Sequence, residues 1–282
     1  NELFRKEGFK YRHFGRSSIP FEEGICILKN TSGKDSIFGI NKKGETVFKL
    51  KGRAYGLFYD GLTYYQNGSG GYQYINTKGE VAFPKEFRSV STYSEGIASV
   101  QEKKGDPFSY INEKGEVLFQ REKRVFGGFQ NGLARTKNRD IDKFGFIDTS
   151  GEQVIPEIFP RAFDFNDGLA VITDENDRYG IINTKGEMVI EPSFSWLDYN
   201  YKNGFLKARG ENPETYGFLD RKGNWVVEPI YQILSHFEDG RAIVKKAADD
   251  NYIVIDTTGK LLFETLFTNE AVLPIGNGIL KV

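Results

Sequence analysis

The stretch Phe165 to Pro192, FNDGLAVITDENDRYGIINTKGEMVIEP, decides the fold. It opens on an aromatic residue three places before Gly168, with Asp167 directly ahead of that glycine. An apolar run follows, then the turn Asn183–Gly186, then a second run ending at Pro192. Asp-Gly before an alternating run is a strong hairpin signal, because both residues tolerate positive φ. Asn-x-x-Gly suits a type I turn: the Asn side chain accepts backbone N–H groups and glycine closes the turn in the left-handed region. The stretch thus predicts strands near 161–165, 169–173, 179–183 and 187–191, with no helical period.

Both signatures return about every 36 residues along the chain. The first places an aromatic residue three positions before, and an acid or Asn directly before, Gly24, Gly61, Gly96, Gly132, Gly168, Gly204 and Gly240; Gly278 keeps the Asn but has Ile275 for the aromatic. The second, apolar-Asp/Asn-x-x-Gly, ends at Gly44, Gly79, Gly115, Gly151, Gly186, Gly223 and Gly259, with Gly8 in phase as a degraded member. A fixed period of this size over a whole chain marks a repeat architecture. The glycines serve backbone geometry; a phosphate-cradling loop would sit between a strand and a helix. Residues 1–20 resemble the tail of a unit and 278–282 the start of one, so head and tail are expected to share an eighth copy. The expectation is one all-β repeat domain over 1–282, eight four-stranded units closed as an eight-bladed β-propeller, with an open β-solenoid as the alternative. Pro84, Pro156, Pro192 and Pro229 are expected to stop the fourth strand, since proline cannot donate to a ladder.

In an antiparallel meander the connections alternate between the two ends. Both tight turns then lie at one end and the variable connections at the other. The loops between second and third strands differ in every copy, as in QNGSGG (66–71), TDENDR (173–178) and RGENPET (209–215). Constant turns are structural, so differences between copies are displayed at the opposite end.

This order of motifs resembles the WG-repeat (KWG-repeat) family, bacterial tandem repeats reading roughly F-x-E-G-L-A-x-V, W-G-Y-I-D-x-x-G and V-I-P-P-x-Y. The clearest copies are 129–151, 165–192 and 216–231. The Trp of the Trp-Gly pair never appears: Phe38-Gly39, Phe144-Gly145, Tyr179-Gly180 and Tyr216-Gly217 stand in, and Phe108-Ser109 lacks the glycine as well. An aromatic body is kept, so packing can survive. The resemblance implies a binding or scaffolding role and supplies no catalytic residues.

Composition narrows the classes. Lys+Arg 38 against Asp+Glu 39 gives a formal net charge of −1, against generic nucleic-acid or membrane-surface binding. One cysteine, Cys26, excludes an internal disulfide framework and a Cys-based zinc site, and two histidines leave little for imidazole chemistry or a His-rich metal site. No run reaches membrane-span length. No cofactor or metal is expected. Asp148, Asp220 and Asp256 interchange with Asn41, Asn76, Asn112 and Asn183 at one position, which fits turn capping better than calcium ligation. The chain begins with Asn, which fits a removed leader and an extracytoplasmic bacterial site, and leaves the compartment open.

Two sets of residues are candidates for ligand binding. Arg16, Arg53, Arg88 and Arg124 stand eight residues before the first-signature glycine, and Arg161 one place further on. They start first strands at the variable end, where planar guanidinium forks could line an anion-binding channel mouth. The alternative is that each packs on a neighbouring copy's aromatic or pairs with an acid. Trp196, with Tyr199, could form an aromatic platform for a glycan or peptide, or be a repacked sheet edge; Trp225 reads as packing. The expected function is a monomeric, non-enzymatic binding or scaffolding protein using its variable-loop face for a protein or carbohydrate partner. The alternative is a hydrolase or lyase acting on a sugar or anionic substrate, for which two carboxylates in a deep pocket would be the sign.

Overall fold

The computed structural model describes residues 9–10, 21–30, 36–54, 57–201, 203–246, 252–264, 273–274 and 280–281. Among them there are strands, turns and bends and no helix. The chain divides into two compact units, Asn1–Gly132 with Asp148–Glu152, and Leu133–Ile147 with Gln153–Val282.

The first unit carries antiparallel sheets whose order in space is their order in sequence. One comprises Phe9–Lys10, Ile25–Asn30, Ser36–Asn41 and Thr46–Lys51; another Arg53–Ala54, Leu62–Gln66 and Tyr72–Asn76; a third Ser89–Val90, Ala98–Gln101, Phe108–Ile111 and Val117–Arg121. In the second unit, Arg161–Ala162, Leu169–Thr173, Tyr179–Asn183 and Met188–Phe194 form one four-stranded sheet. The strand Trp225–Leu234 pairs with Tyr216–Leu219 on one side and Arg241–Lys246 on the other, joining two copies into a six-stranded sheet. Leu273–Pro274 pairs with Leu280–Lys281. The sharing of an eighth copy by the two ends lies outside the described residues, as does Arg16.

The two signatures form the turns expected of them. Each first-signature pair among the described residues has both members at positive φ, as at Asp167 (50°) and Gly168 (76°), which is the two-residue hairpin geometry that matches strand twist. In the second signature the Asx oxygen takes two backbone N–H groups: Asn183 Oδ1 accepts from Lys185 at 2.9 Å and Glu187 at 3.0 Å. Asp148, Asp220 and Asp256 do the same, and side-chain hydrogen bonds from Ser150, Asn224 and Thr258, with these backbone bonds behind them, hold their carboxyls below the usual range.

The structure adds that both signatures also bind one copy to the next. Glu23 accepts from the Gly61 N–H at 3.0 Å, Asp60 from Gly96 at 2.9 Å, and Glu95 from both Asn131 and Gly132 at 2.7 Å. In the second unit an amide reaches the next copy's carbonyl instead, Asn166 to Tyr201 at 2.7 Å and Asn203 to Phe237 at 2.8 Å. The second-signature glycines lie against the preceding copy's fourth strand. A Cβ on Gly79 would sit 2.4 Å from the Phe48 ring, on Gly151 2.6 Å from Phe119, and on Gly223 3.0 Å from Ile190. Backbone geometry alone is therefore not their whole reason. The apolar residues between these contacts form layered clusters such as Ile37, Phe48, Phe58 and Ile75, or Phe146, Ile155, Phe165 and Ile182.

Two expectations need correction. Proline does not end the fourth strand: Gln153–Phe159, Met188–Phe194 and Trp225–Leu234 run through Pro156, Pro192 and Pro229. Each proline sits in a bulge, where Phe144↔Phe159 is followed by Phe146↔Ile155, and Tyr179↔Phe194 by Ile181↔Ile190. A bulge leaves residues out of the ladder, so a missing N–H costs nothing there. The first strand is also shorter than 161–165; Arg161–Ala162 pairs with Ile172–Thr173, and an isolated bridge joins Asn166 to Leu169.

Candidate ligand-binding site

Register fixes which end is which. In the 161–194 sheet, Leu169 faces Asn183 beside both tight turns, while Thr173 faces Tyr179 and Tyr179 faces Phe194 at the other end. The variable connections thus share one end of the sheet, as the meander argument requires.

A pocket of about 720 Å³ opens at that end in the second unit. Its walls come from two successive copies. The earlier copy supplies Arg178 and residues 193–195; the later one supplies the loop 209–212 with Thr215, and Trp225, Glu228 and Pro229 from its fourth strand. The loop RGENPET is stitched to itself: Gly210 N donates to the Thr215 carbonyl at 2.9 Å, Thr215 N to the Asn212 carbonyl at 3.1 Å, and Glu214 N to Asn212 Oδ1 at 3.0 Å. Gly210 is needed where it stands, since a Cβ would lie 2.7 Å from Pro229. The Pro229 bulge and the loop therefore fit together and hold the mouth of the pocket in shape.

The lining is mixed. Phe194 and Trp225 meet edge to face at 6.0 Å and give one apolar side. The Arg209 guanidinium lies 5.5 Å over the Tyr216 ring and donates from Nη2 to Tyr216 Oη at 3.2 Å, while its buried Nε has no hydrogen-bond partner among the described residues. A buried donor without an acceptor costs about 1–3 kcal/mol. Arg178 reaches the Ser193 carbonyl with a long 3.4 Å contact. Glu211 and Glu228 are both exposed.

The sequence-picked residues fall in different places. Trp196 is half-buried and does not line the pocket; its ring meets Tyr216 edge to face at 5.6 Å, and its carbonyl accepts from Arg209 N at 3.1 Å, so it backs the wall that carries Arg209. Tyr199 stays 54% exposed and stacks on Phe163 at 4.9 Å. Arg124 is tied to the preceding copy: Nε donates to Ser99 Oγ at 2.8 Å, Nη2 to the Val90 carbonyl at 3.0 Å, and the guanidinium lies 6.0 Å from the Phe108 ring. These are the contacts of the packing alternative. Arg161 pairs with Asp177 at 3.3 Å, both side chains largely exposed. Arg53 and Arg88 are exposed; Arg53 faces Gln66 and Arg161 faces Thr173, both beside variable loops.

A polar cluster that sequence reasoning missed lies along the first and second strands of the second unit. Arg135 Nε donates to Asp164 Oδ1 at 2.6 Å, and its Nη1 to the Ala162 carbonyl at 2.8 Å. One junction further on but one, Lys207 holds the place of Arg135 and His236 that of Asp164. The buried Asp198 serves this junction: its N–H donates to the Lys207 carbonyl at 2.8 Å, and its Oδ2 lies 3.2 Å from His236 Nε2. Burial alone would raise the Asp198 carboxyl. Hydrogen bonds from His236 and the Asn200 N–H, with the nearby His236 and Lys207 charges, bring it below the usual range. Burial pushes the Lys207 ammonium down, opposed by Asp198. The signal was present as equal offsets from the repeat glycines, which place Lys207 and His236 where Arg135 and Asp164 stand.

Fold and site define a tandem all-β repeat protein with a ligand-sized pocket between variable loops. Residues 74–105, 144–176, 179–209 and 216–248 match the family model of the WG containing repeat. No curated protein matches the chain. Among solved structures, a eukaryotic initiation factor is similar with 14% identity, covering 87% of this chain and 76% of that one at a TM-score of 0.54. BamB from Moraxella catarrhalis has 12% identity, 88% and 87% coverage and a TM-score of 0.45. Kluyvelomyces marxianus Hsv2 has 10% identity, 78% and 74% coverage and a TM-score of 0.41. At such identities likeness concerns the fold alone.

Proposed function

We propose that the chain is a non-enzymatic binding protein that presents its variable-loop end to a protein or carbohydrate partner. The observation that carries this reading is the pocket walled by two successive copies at the end where copies differ. At the opposite end the polar groups are already used in turns and copy-to-copy hydrogen bonds. Exposed Arg88, at the start of its own copy's first strand, presents a guanidinium suited to carboxylate or phosphate groups of a partner. The finer architecture in this reading is a closed eight-bladed propeller. Its support is the count of copies. A ring of 282 residues has an expected radius of gyration of about 19 Å; an open stack exceeds it in solution scattering.

The test of function is capture with the whole chain. Replacing residues 211–214 by two glycines should abolish partner capture, while Lys185→Ala in a tight turn leaves it intact. Equal capture by both variants would refute the reading. One observation favours a hydrolase as the second reading, the presence of two carboxylates, Glu211 and Glu228, in one pocket. Both side chains are exposed to solvent rather than set deep in the pocket.

A further inference from the structure

We propose that the pocket between residues 193–195 and 209–215 takes a neutral saccharide. This rests on the binding reading above and narrows its ligand.

Two guanidiniums, Arg178 and Arg209, and two carboxylates, Glu211 and Glu228, line the same cavity. No ion pair joins either arginine to either glutamate among the described residues, so the pocket is balanced overall and unsatisfied locally. A phosphate or carboxylate would engage the arginines and then face the two glutamates. A cation would face the reverse. A sugar hydroxyl both donates and accepts, so a row of hydroxyls serves both signs at once without bringing a charge.

The second element is the aromatic side. Trp225 is half-buried, with its ring over Gly217, where a Cβ would lie 2.8 Å from Cζ3. With Phe194 it supplies the aromatic part of the lining that also holds the charged groups. Sugars present C–H faces beside hydroxyl edges, and an aromatic body next to polar partners matches that division. The Arg209 guanidinium is placed by the Tyr216 ring beneath it rather than by an acid, so its planar fork keeps capacity for a ligand oxygen. The third element is size: about 720 Å³ falls within the roughly 300–1,000 Å³ of small-ligand sites.

The chain has two tryptophans, so Trp196→Phe leaves Trp225 as the reporter inside the pocket. Emission of that variant would be titrated with cellopentaose, maltopentaose, chitopentaose and xylopentaose as neutral probes, with trigalacturonate and chitosan trimer as charged ones. The expected result is a saturable change with at least one neutral probe, weakened tenfold or more by Glu228→Gln and by Arg209→Lys, each with an unchanged melting temperature. Should Arg209→Lys fail to fold, the exposed Glu228→Gln decides. No change with any neutral probe at 10 mM, or a response to trigalacturonate or chitosan alone, overturns the proposal. The capture experiment is independent: if loop replacement still abolishes capture of a protein partner, the binding reading stands while the saccharide falls.

Discussion

Two copies of one repeat close their outer strands differently. In the copy holding Phe144-Gly145, the fourth strand bulges at Pro156 and presses its backbone onto the glycine. A Cβ on Gly145 would meet the Ile155 oxygen at 2.4 Å and the Pro156 carbon at 2.6 Å. In the copy holding Phe108-Ser109 the fourth strand Val117–Arg121 has no proline, the pairs Phe108↔Arg121, Ser109↔Gln120 and Tyr110↔Phe119 follow one another without a shift, and Gln120 Nε2 donates to Ser109 Oγ at 2.8 Å. Gly180 with Pro192 and Gly217 with Pro229 repeat the first arrangement. In these three copies the glycine faces the proline bulge; Gly39 has no proline opposite, its ladder runs Phe38↔Lys49 and Gly39↔Phe48, and a Cβ there would lie 2.1 Å from the Phe48 ring instead. Tyr72-Gln73 is the reverse case: Pro84 is present without the glycine, and the fourth segment there makes only the isolated bridges Tyr72↔Phe87 and Ile75↔Val81.

The largest expected effect falls on a glycine that faces a bulge. Gly145→Ala sets a methyl against backbone that has no side-chain freedom to yield, and should cost about 3 kcal/mol. Ser109→Gly in the copy without a proline bulge should cost about 1 kcal/mol, from lost strand propensity and one partly buried hydrogen bond. Urea denaturation of the two variants measures the contrast, and equal losses would dissolve it.

A second contrast separates the two families of turn glycine. Gly132 has φ +77° with nothing within 4 Å of its would-be Cβ, whereas Gly151 has φ +89° and the Phe119 ring at 2.6 Å. Gly132→Ala should therefore cost about 1 kcal/mol, for conformation alone. Gly151→Ala should cost about 2 kcal/mol, since the ring of the preceding copy must also move. Comparison of unfolding midpoints at matched m-values checks the order.

These contrasts show what the chain discloses unaided. Repeat length, strand order and the two turns are local signals, carried by residues that set their own φ, and they could be read directly. Copy-to-copy contacts could not: that Glu95 serves a turn 36 residues on, or that Gly79 lies under Phe48, needs the sheets placed side by side. The prolines misled for the same reason. A residue that stops a strand when read alone is accommodated once a glycine opposite makes room for a bulge. The pocket was hidden because its members, Arg178, Phe194, Arg209 and Trp225, come from four separated segments, while the eye was drawn to arginines that repeat. Arg124, one of that set, proved to be holding two strands of its neighbour together.

The third effect concerns the junction of Asp198 with His236, against that of Arg135 with Asp164. Asp198 has a folded-state pKa below its unfolded value of about 3.9. Its contribution is therefore complete above that unfolded value and is lost as pH falls through the lower folded one. Asp198→Asn should cost about 1–2 kcal/mol at pH 7, by removing a buried charge partner from His236 and Lys207. The gap from the parent should close as pH drops below about 4. A gap that stays constant down to pH 2 would mean that the carboxylate's charge contributes nothing to this junction.

The smallest effect tests the clasp between successive turns. Glu95 receives two N–H groups from the next copy, whereas Asp60 receives one. The bonds are exposed, so each adds less than a buried bond, and water replaces what is lost. Glu95→Gln keeps one acceptor and should cost about 0.5 kcal/mol; Glu95→Ala leaves both donors to solvent and should cost about 1 kcal/mol. Hydrogen exchange gives the sharper reading, because the acceptor is specific to two amides. The Asn131 and Gly132 amides should exchange faster in Glu95→Ala while the Gly96 amide, held by Asp60, keeps its protection. Loss of protection at all three would show that the clasp acts on the array as a whole, and the difference between a two-bond and a one-bond junction would then carry no local meaning.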